Sequence, residues 1–133
     1  MTRKFLLFTI LFLFLFLFQQ IIYAEPIKRT IMIDLDGVLD NYSTFTEEIP
    51  SIRVGAKKFI KKLSNNYELI LFTTRSPKQA TCWLQNNKID KYFKDVTNIK
   101  IPSYLFIDDR CVCYKGSYKE TLAEIKAFKV YWK

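Results

Sequence analysis

The chain has 133 residues, 21 Lys and Arg against 13 Asp and Glu, and no His, for a formal charge of +8; that is room for one small domain, and imidazole chemistry is excluded. Six of its twelve Phe fall between Phe5 and Phe18, so the remainder has an ordinary soluble composition and a multi-pass membrane protein is not expected. Gly37, Gly55 and Gly116 are the only glycines, so neither a Gly-Xaa-Gly dinucleotide loop nor a Walker phosphate loop can be written, and any phosphate chemistry must rest on side chains and metal.

At the front, Thr2-Arg3-Lys4 precedes an apolar run from Phe5 to Phe18 broken only by Thr9, then Gln19-Gln20 and Ile22-Tyr23-Ala24 before Glu25-Pro26. This is the layout of a secretory signal peptide, with cleavage expected after Ala24. The run of 14 residues is short of the roughly 20 that cross a bilayer. Ile21 to Ala24 could extend it, and Ile22 is large for its place before the cut, so an uncleaved signal-anchor stays open. The expected organisation is a leader over 1–24 and one domain over 25–133, exported by the leader and cytoplasmic only if the leader does not function. Contact with a membrane is expected only through an uncleaved leader.

After Pro26, short apolar runs alternate with amphipathic ones, the mark of a parallel sheet covered by helices. Thr30 to Leu35 reads as a first strand. Val54 to Leu63 carries Ala56, Phe59, Ile60 and Leu63 at helical spacing with Lys opposite, and Asn65-Asn66 stops it. Glu68 to Thr73 is a second strand, apolar throughout its middle as expected when both faces are buried. Ser76-Pro77 supplies an N-cap and a first-turn proline for a helix bearing Ala80, Trp83 and Leu84. Asp95 to Thr97 reads as a short third strand and Tyr104 to Asp108 as a fourth. Tyr118 to Phe128 reads as a last helix and Val130 to Trp132 as a candidate edge strand.

Without residues 1–24, 19 basic residues face 13 acidic ones, a weak bias toward an anionic partner. The lysines are scattered over helices such as Lys57, Lys58, Lys61 and Lys62 with no aromatic ladder to stack bases, so nucleic acid is not an expected partner. Cys82, Cys111 and Cys113 are an odd number in a disulfide-permitting compartment. A bridge between Cys111 and Cys113 would strain disulfide geometry, and with no His a zinc site is not expected.

Three strands end in polar residues: Ile33-Asp34-Leu35-Asp36-Gly37, Phe72-Thr73-Thr74-Arg75 and Ile107-Asp108-Asp109-Arg110. In a parallel sheet those ends share one edge, where ligands bind. Asp34, Asp36, Thr73, Asp108 and Asp109 would therefore converge although 75 positions separate the first from the last. Four carboxylates in one place repel one another, so a cation must sit among them or some must be protonated. Hard oxygen ligands favour Mg²⁺ together with a substrate phosphate oxygen. Asp34 and Asp36 project to one side, so one can attack phosphorus while the other handles the proton.

Asp34-Leu35-Asp36-Gly37-Val38, Thr73 after one apolar strand and Asp108-Asp109 after another resemble the haloacid dehalogenase (HAD) superfamily of magnesium-dependent phosphohydrolases, over most of residues 29–128. The resemblance implies a Rossmann-like three-layer α/β sandwich with a mainly parallel central sheet and phosphomonoester hydrolysis. Under it Asp34 is the nucleophile forming an aspartyl-phosphate, and Asp36 is the acid for the leaving oxygen and the base for water. Thr73 would bond the phosphoryl oxygens, Lys100 would neutralise nucleophile and phosphate, and Asp108, Asp109, Asp34 and the carbonyl of Asp36 would hold Mg²⁺.

Rival readings of single residues stay open. Thr74 could be the phosphate contact in place of Thr73, and Lys94 competes with Lys100. Asp108 and Asp109 could pair with Arg110 or Arg75 on the surface. Asp40 reads as a loop or helix cap. Arg75 could contact substrate or brace the site through Asp109.

Asp36 to Glu68 and Thr73 to Lys100 leave no room for a cap domain, so the likeness is to capless members. Their site stays open unless Asn41 to Pro50 folds over it, or unless a bulky substrate or a second subunit, as in a homo-oligomer, closes it. The expected partner is a phosphorylated substrate. The alternatives to a phosphatase are a module of the same fold that binds a phospho-ligand or a protein without turnover, and a phosphotransferase.

Overall fold

The computed structural model describes residues 12–14 and 27–132. The leader expected over 1–24 lies outside the described residues except for 12–14, which are helical. Among the described residues no helix is long and apolar enough to cross a membrane.

Strands Arg29–Asp34 (β1), Tyr67–Phe72 (β2), Phe93–Thr97 (β3) and Leu105–Ile107 (β4) form one sheet in the order β3-β2-β1-β4. Every pairing is parallel. Helices Ala56–Ser64 (α1) and Pro77–Asn86 (α2) make the crossovers from β1 to β2 and from β2 to β3, and Tyr118–Ala127 (α3) follows β4. No cap domain interrupts this order among the described residues.

The two crossover helices share a face of the sheet, as right-handed connections stepping in one direction require. Ala56 and Ile60 of α1 and Ala80, Trp83 and Leu84 of α2 pack on Ile31, Ile33, Leu69 and Leu71. Met32 and Ile70, at the alternate positions, are buried on the other face. Burial on both sides explains why β1 and β2 are apolar without alternation.

Local differences from the sequence expectation have physical causes. The first helix begins at Ala56, not Val54, because Gly55 takes a left-handed φ of 90° as its N-cap and leaves Val54 exposed. Ser76 and Pro77 sit where expected, but the Ser76 side chain makes no capping bond. Ser117 does cap α3, accepting from the Glu120 N–H at 3.3 Å. Val130 to Trp132 is not an edge strand. It is a turn whose aromatic side chains bond the loops after β1 and β4, namely Tyr131 to the Gly37 carbonyl and Trp132 to Asp109.

The chain fills one side of β1 with β2 and β3 and then returns to its other side with β4. The reversal makes the gap beyond the carboxyl ends of β1 and β4 the topological switch point, the place where such sheets bind ligands.

Candidate active site

Asp34 closes β1, and the chain then winds tightly: the N–H groups of Val38, Leu39 and Asp40 all point to the Leu35 carbonyl, at 3.3, 2.9 and 3.3 Å. Leu35 and Leu39 are buried and pin this turn to the core. Asp40 locks its far side, accepting from the Gly37 N–H at 2.8 Å and the Tyr42 N–H at 3.1 Å, so it caps the loop. Burial, the largest influence, pushes Asp40 up to about 6 against those two bonds. Gly37 has φ +82°, and a Cβ there would lie 2.5 Å from Asp109 Oδ2. The position thus needs glycine both for its backbone conformation and for the approach of β4's loop.

Asp34, Asp108 and Asp109 each present a carboxylate oxygen, and those oxygens lie within 4.8 Å of one another. Burial foremost, and then the charges of Asp108, Asp36 and Asp109, drive Asp34 from 3.8 to about 7, against a lowering bond from the Leu35 backbone. Asp108 spends Oδ1 on the Arg110 N–H at 2.7 Å. Asp109 Oδ2 accepts from Trp132 Nε1 at 2.5 Å and faces Arg110 Nε at 3.8 Å, whereas Asp109 Oδ1 is buried with no partner. A buried carboxylate oxygen without a donor costs about 1–3 kcal/mol or more, unless a cation supplies the missing charge. Three carboxylates within reach of one another, one of them with an unpartnered buried oxygen and one raised to about 7 by burial and its neighbours, fit an oxygen-preferring divalent cation such as Mg²⁺.

Asp36 is turned elsewhere. Both its oxygens accept from Arg75 Nε, at 2.8 and 2.9 Å, and Arg75 Nη2 lies 2.8 Å from Oδ1 as an ion-pair contact without the direction of a hydrogen bond. Arg75 therefore braces Asp36 and not Asp109. Its Nη1 also donates to the Thr46 carbonyl at 2.7 Å, and its guanidinium lies 5.3 Å from the Phe45 ring centre. With Gln79 donating to the Glu47 carbonyl and Trp83 Nε1 to the Pro50 carbonyl, the Asn41 to Pro50 segment is anchored along the start of α2.

Thr73 follows β2 and is fully buried, its N–H on the Thr97 carbonyl at 3.0 Å and its Oγ1 accepting from the Arg75 N–H at 3.2 Å. Thr74 is exposed and lines a recess with Phe45, Arg75, Ser76 and Gln79. Lys100 holds its ammonium over the Phe106 ring, 4.4 Å from the centroid, two residues before Asp108. Lys94 is at the opposite end of the sheet, paired with Glu68 at 2.8 Å, which lowers that carboxyl below its usual range.

The sheet therefore brings Asp34, Asp108 and Asp109 together, sets Asp36 beside Arg75, and leaves Lys100 on Phe106. Tyr131 and Trp132 were invisible as site residues. Their aromatic, β-branched surroundings read as strand, and nothing in their local spacing announces partners 94 and 23 positions away.

Residues 29–127 match the family described as NLI interacting factor-like phosphatase. No curated protein matches the chain. Among solved structures, a conserved protein coded by a locus of Bacteroides thetaiotaomicron is similar in fold, with a TM-score of 0.54 and 23% identity over 79% of this chain and 95% of that one.

Proposed function

The chain belongs to the NLI interacting factor-like phosphatase family, a HAD-like phosphatase family, and we propose that it hydrolyses phosphomonoesters through an aspartyl-phosphate on Asp34, with Mg²⁺ as cofactor. The observation that carries this reading is the meeting of Asp34, Asp108 and Asp109 at the switch point, with Asp109 Oδ1 buried and unpartnered.

In this reading an Asp34 oxygen bonds to phosphorus as the ester P–O bond breaks, and Asp36 gives its proton to the departing oxygen. Water then attacks the same phosphorus while Asp36 takes its proton. The bond to Asp34 breaks, and inorganic phosphate leaves. Bound Mg²⁺ would offset the negative charge gathered on the three carboxylates and the phosphoryl group. Asp34 must be ionised to attack, and burial together with the neighbouring carboxylates raises it to about 7 in the protein alone; a bound cation would favour the ionised form. Thr73 contributes a hydroxyl to the phosphoryl oxygens, and Lys100 contributes its charge by swinging off the Phe106 ring. Asp36 must release one oxygen from Arg75 before it can carry a proton.

That last requirement favours a second reading, a module that binds a phospho-ligand without turning it over. Assay of the chain with a generic aryl phosphate separates the two. The phosphatase reading expects turnover with Mg²⁺ that is abolished by EDTA and by Asp34→Asn. Metal-independent turnover, or full turnover in Asp34→Asn, overturns the mechanism. Magnesium-dependent ligand binding with no phosphate released supports the binding module.

A further inference from the structure

The turn at residues 130–132 follows the last residue matched to the family, at position 127, yet it reaches both loops of the acidic cluster. The Tyr131 hydroxyl donates to the Gly37 carbonyl, and Trp132 Nε1 donates to Asp109 Oδ2 at 2.5 Å. The Trp132 ring meets Tyr42 edge-on, with centroids 5.2 Å apart at 75°. The Arg110 guanidinium lies over both rings, 5.0 Å from Tyr42 and 5.4 Å from Trp132. Beneath this layer the Asp109 side chain is only 1% exposed, and the space above Gly37 is filled by its Oδ2 and by Trp132 Nε1.

A carboxylate that is free to turn about its last torsion presents either oxygen to a cation and must be ordered when the cation binds. Here one oxygen is already taken by an indole N–H inside a packed aromatic layer. The other, Oδ1, is the one the protein leaves without a donor. Partners of this kind, which bond the far side of a ligand, fix its orientation and commonly control metal affinity by one or two orders of magnitude.

We propose that Trp132 is a positioning residue of the divalent-cation site, engaging Asp109 Oδ2 so that Oδ1 is committed to the cation shared with Asp34 and Asp108. The inference rests on the magnesium reading above and adds to it a residue outside the family match. Tyr131 supports the same arrangement by tying the turn to the Gly37 backbone.

The test is calorimetric titration of the full chain with Mg²⁺, before and after Trp132→Phe, which keeps an aromatic ring and removes the N–H. The expected result is a folded variant whose Mg²⁺ dissociation constant rises about tenfold or more. A folded variant that binds Mg²⁺ as the wild type does overturns the proposal. The wild type supplies a second readout that does not depend on the variant folding. Its two tryptophans, Trp83 and Trp132, give two indole N–H resonances, and Trp83 Nε1 is bonded to the Pro50 carbonyl. Addition of Mg²⁺ should shift the Trp132 signal and leave that of Trp83 in place, with Trp83→Phe making the assignment. Saturation with Mg²⁺ that leaves the Trp132 signal unmoved overturns the positioning role alone. A wild type that binds no Mg²⁺ at all overturns the cation reading and the positioning role together.

Discussion

Arg75 grips Asp36 through both carboxylate oxygens, with Nε 2.8 and 2.9 Å away, and ties the same guanidinium to the Thr46 carbonyl at 2.7 Å. One side chain thus links the second aspartate of the Asp34-Leu35-Asp36 motif to the segment from Asn41 to Pro50. The guanidinium side is 3% exposed and the carboxylate side 16%, so solvent screens the pair little.

Loss of one partner of a buried ion pair strands the other, a cost of about 3 kcal/mol for Arg75→Ala. Arg75→Lys should fall between the wild type and Arg75→Ala, because an ammonium cannot span two oxygens and the Thr46 carbonyl as the planar fork does. Urea denaturation of the three proteins should rank them in that order. An Arg75→Ala variant as stable as the wild type would show that the contact contributes nothing to folding.

Stability of the metal-free protein should fall as pH rises from about 4 to about 7. Asp34 sits near 3.8 when unfolded and about 7 when folded, so the folded state binds the extra proton. The contribution is present in full below the unfolded value and is lost as pH climbs through the folded one. Asp40, raised to about 6 by burial, acts with the same sign. Together the two groups should lose on the order of 4 kcal/mol between about pH 5 and pH 8. Saturating Mg²⁺ should restore stability mainly at the upper pH, where Asp34 is ionised, and Asp34→Asn should reduce the slope to the share left by Asp40. Thermal melts at the two pH values with and without Mg²⁺ check this. A profile unchanged by Asp34→Asn would assign the pH dependence to other groups.

The acidic cluster was legible because its logic is topological. Apolar runs such as Ile31 to Ile33 and Leu69 to Leu71 declare buried parallel strands, and parallel strands put their polar ends at one edge; of the five residues expected there, Asp34, Asp108 and Asp109 do meet, while Asp36 turns to Arg75. The Asp36–Arg75 grip and the 130–132 turn were not legible, since each depends on side chains finding partners far along the chain after the sheet has formed. Helix α3 shows the opposite limit. Its apolar residues Leu122 and Ile125 mark a helix correctly, yet both stay exposed, because periodicity identifies a face without identifying what covers it.

Gly37→Ala should disturb the proposed cation site more than an ordinary surface change. The new Cβ would meet Asp109 Oδ2 at 2.5 Å and Trp132 Nε1 at 3.0 Å, in a backbone with φ +82°. The Asp109 carboxylate is short and already bonded to Trp132, so it has little room to yield. An alanine strained in the left-handed region costs about 1 kcal/mol or more before the clash is counted. The expected outcome is a lower unfolding midpoint together with weaker Mg²⁺ binding. Wild-type Mg²⁺ affinity in a folded Gly37→Ala protein would mean that the loops after β1 and β4 can separate without cost to the site.

Thr73 and Thr74 can be told apart by paired substitutions, since one is buried and the other exposed. Thr73→Val keeps the shape but removes the oxygen that accepts the Arg75 N–H at 3.2 Å. That leaves a buried donor unpaired at a cost of about 1–2 kcal/mol, whereas Thr73→Ser retains the oxygen and should cost less. Thr74→Val, on an exposed side chain, should change stability by about 0.5 kcal/mol at most. If Thr73 is the phosphate contact, aryl phosphate turnover should drop roughly tenfold or more in Thr73→Val, in line with loss of a charge-assisted bond. Thr73→Ser should recover most of it, and Thr74→Val should be near wild type. The reverse pattern, with turnover lost only in Thr74→Val while Thr73→Val loses stability alone, would give the phosphate contact to Thr74 and leave Thr73 as the residue that follows β2 and sets the backbone of Arg75.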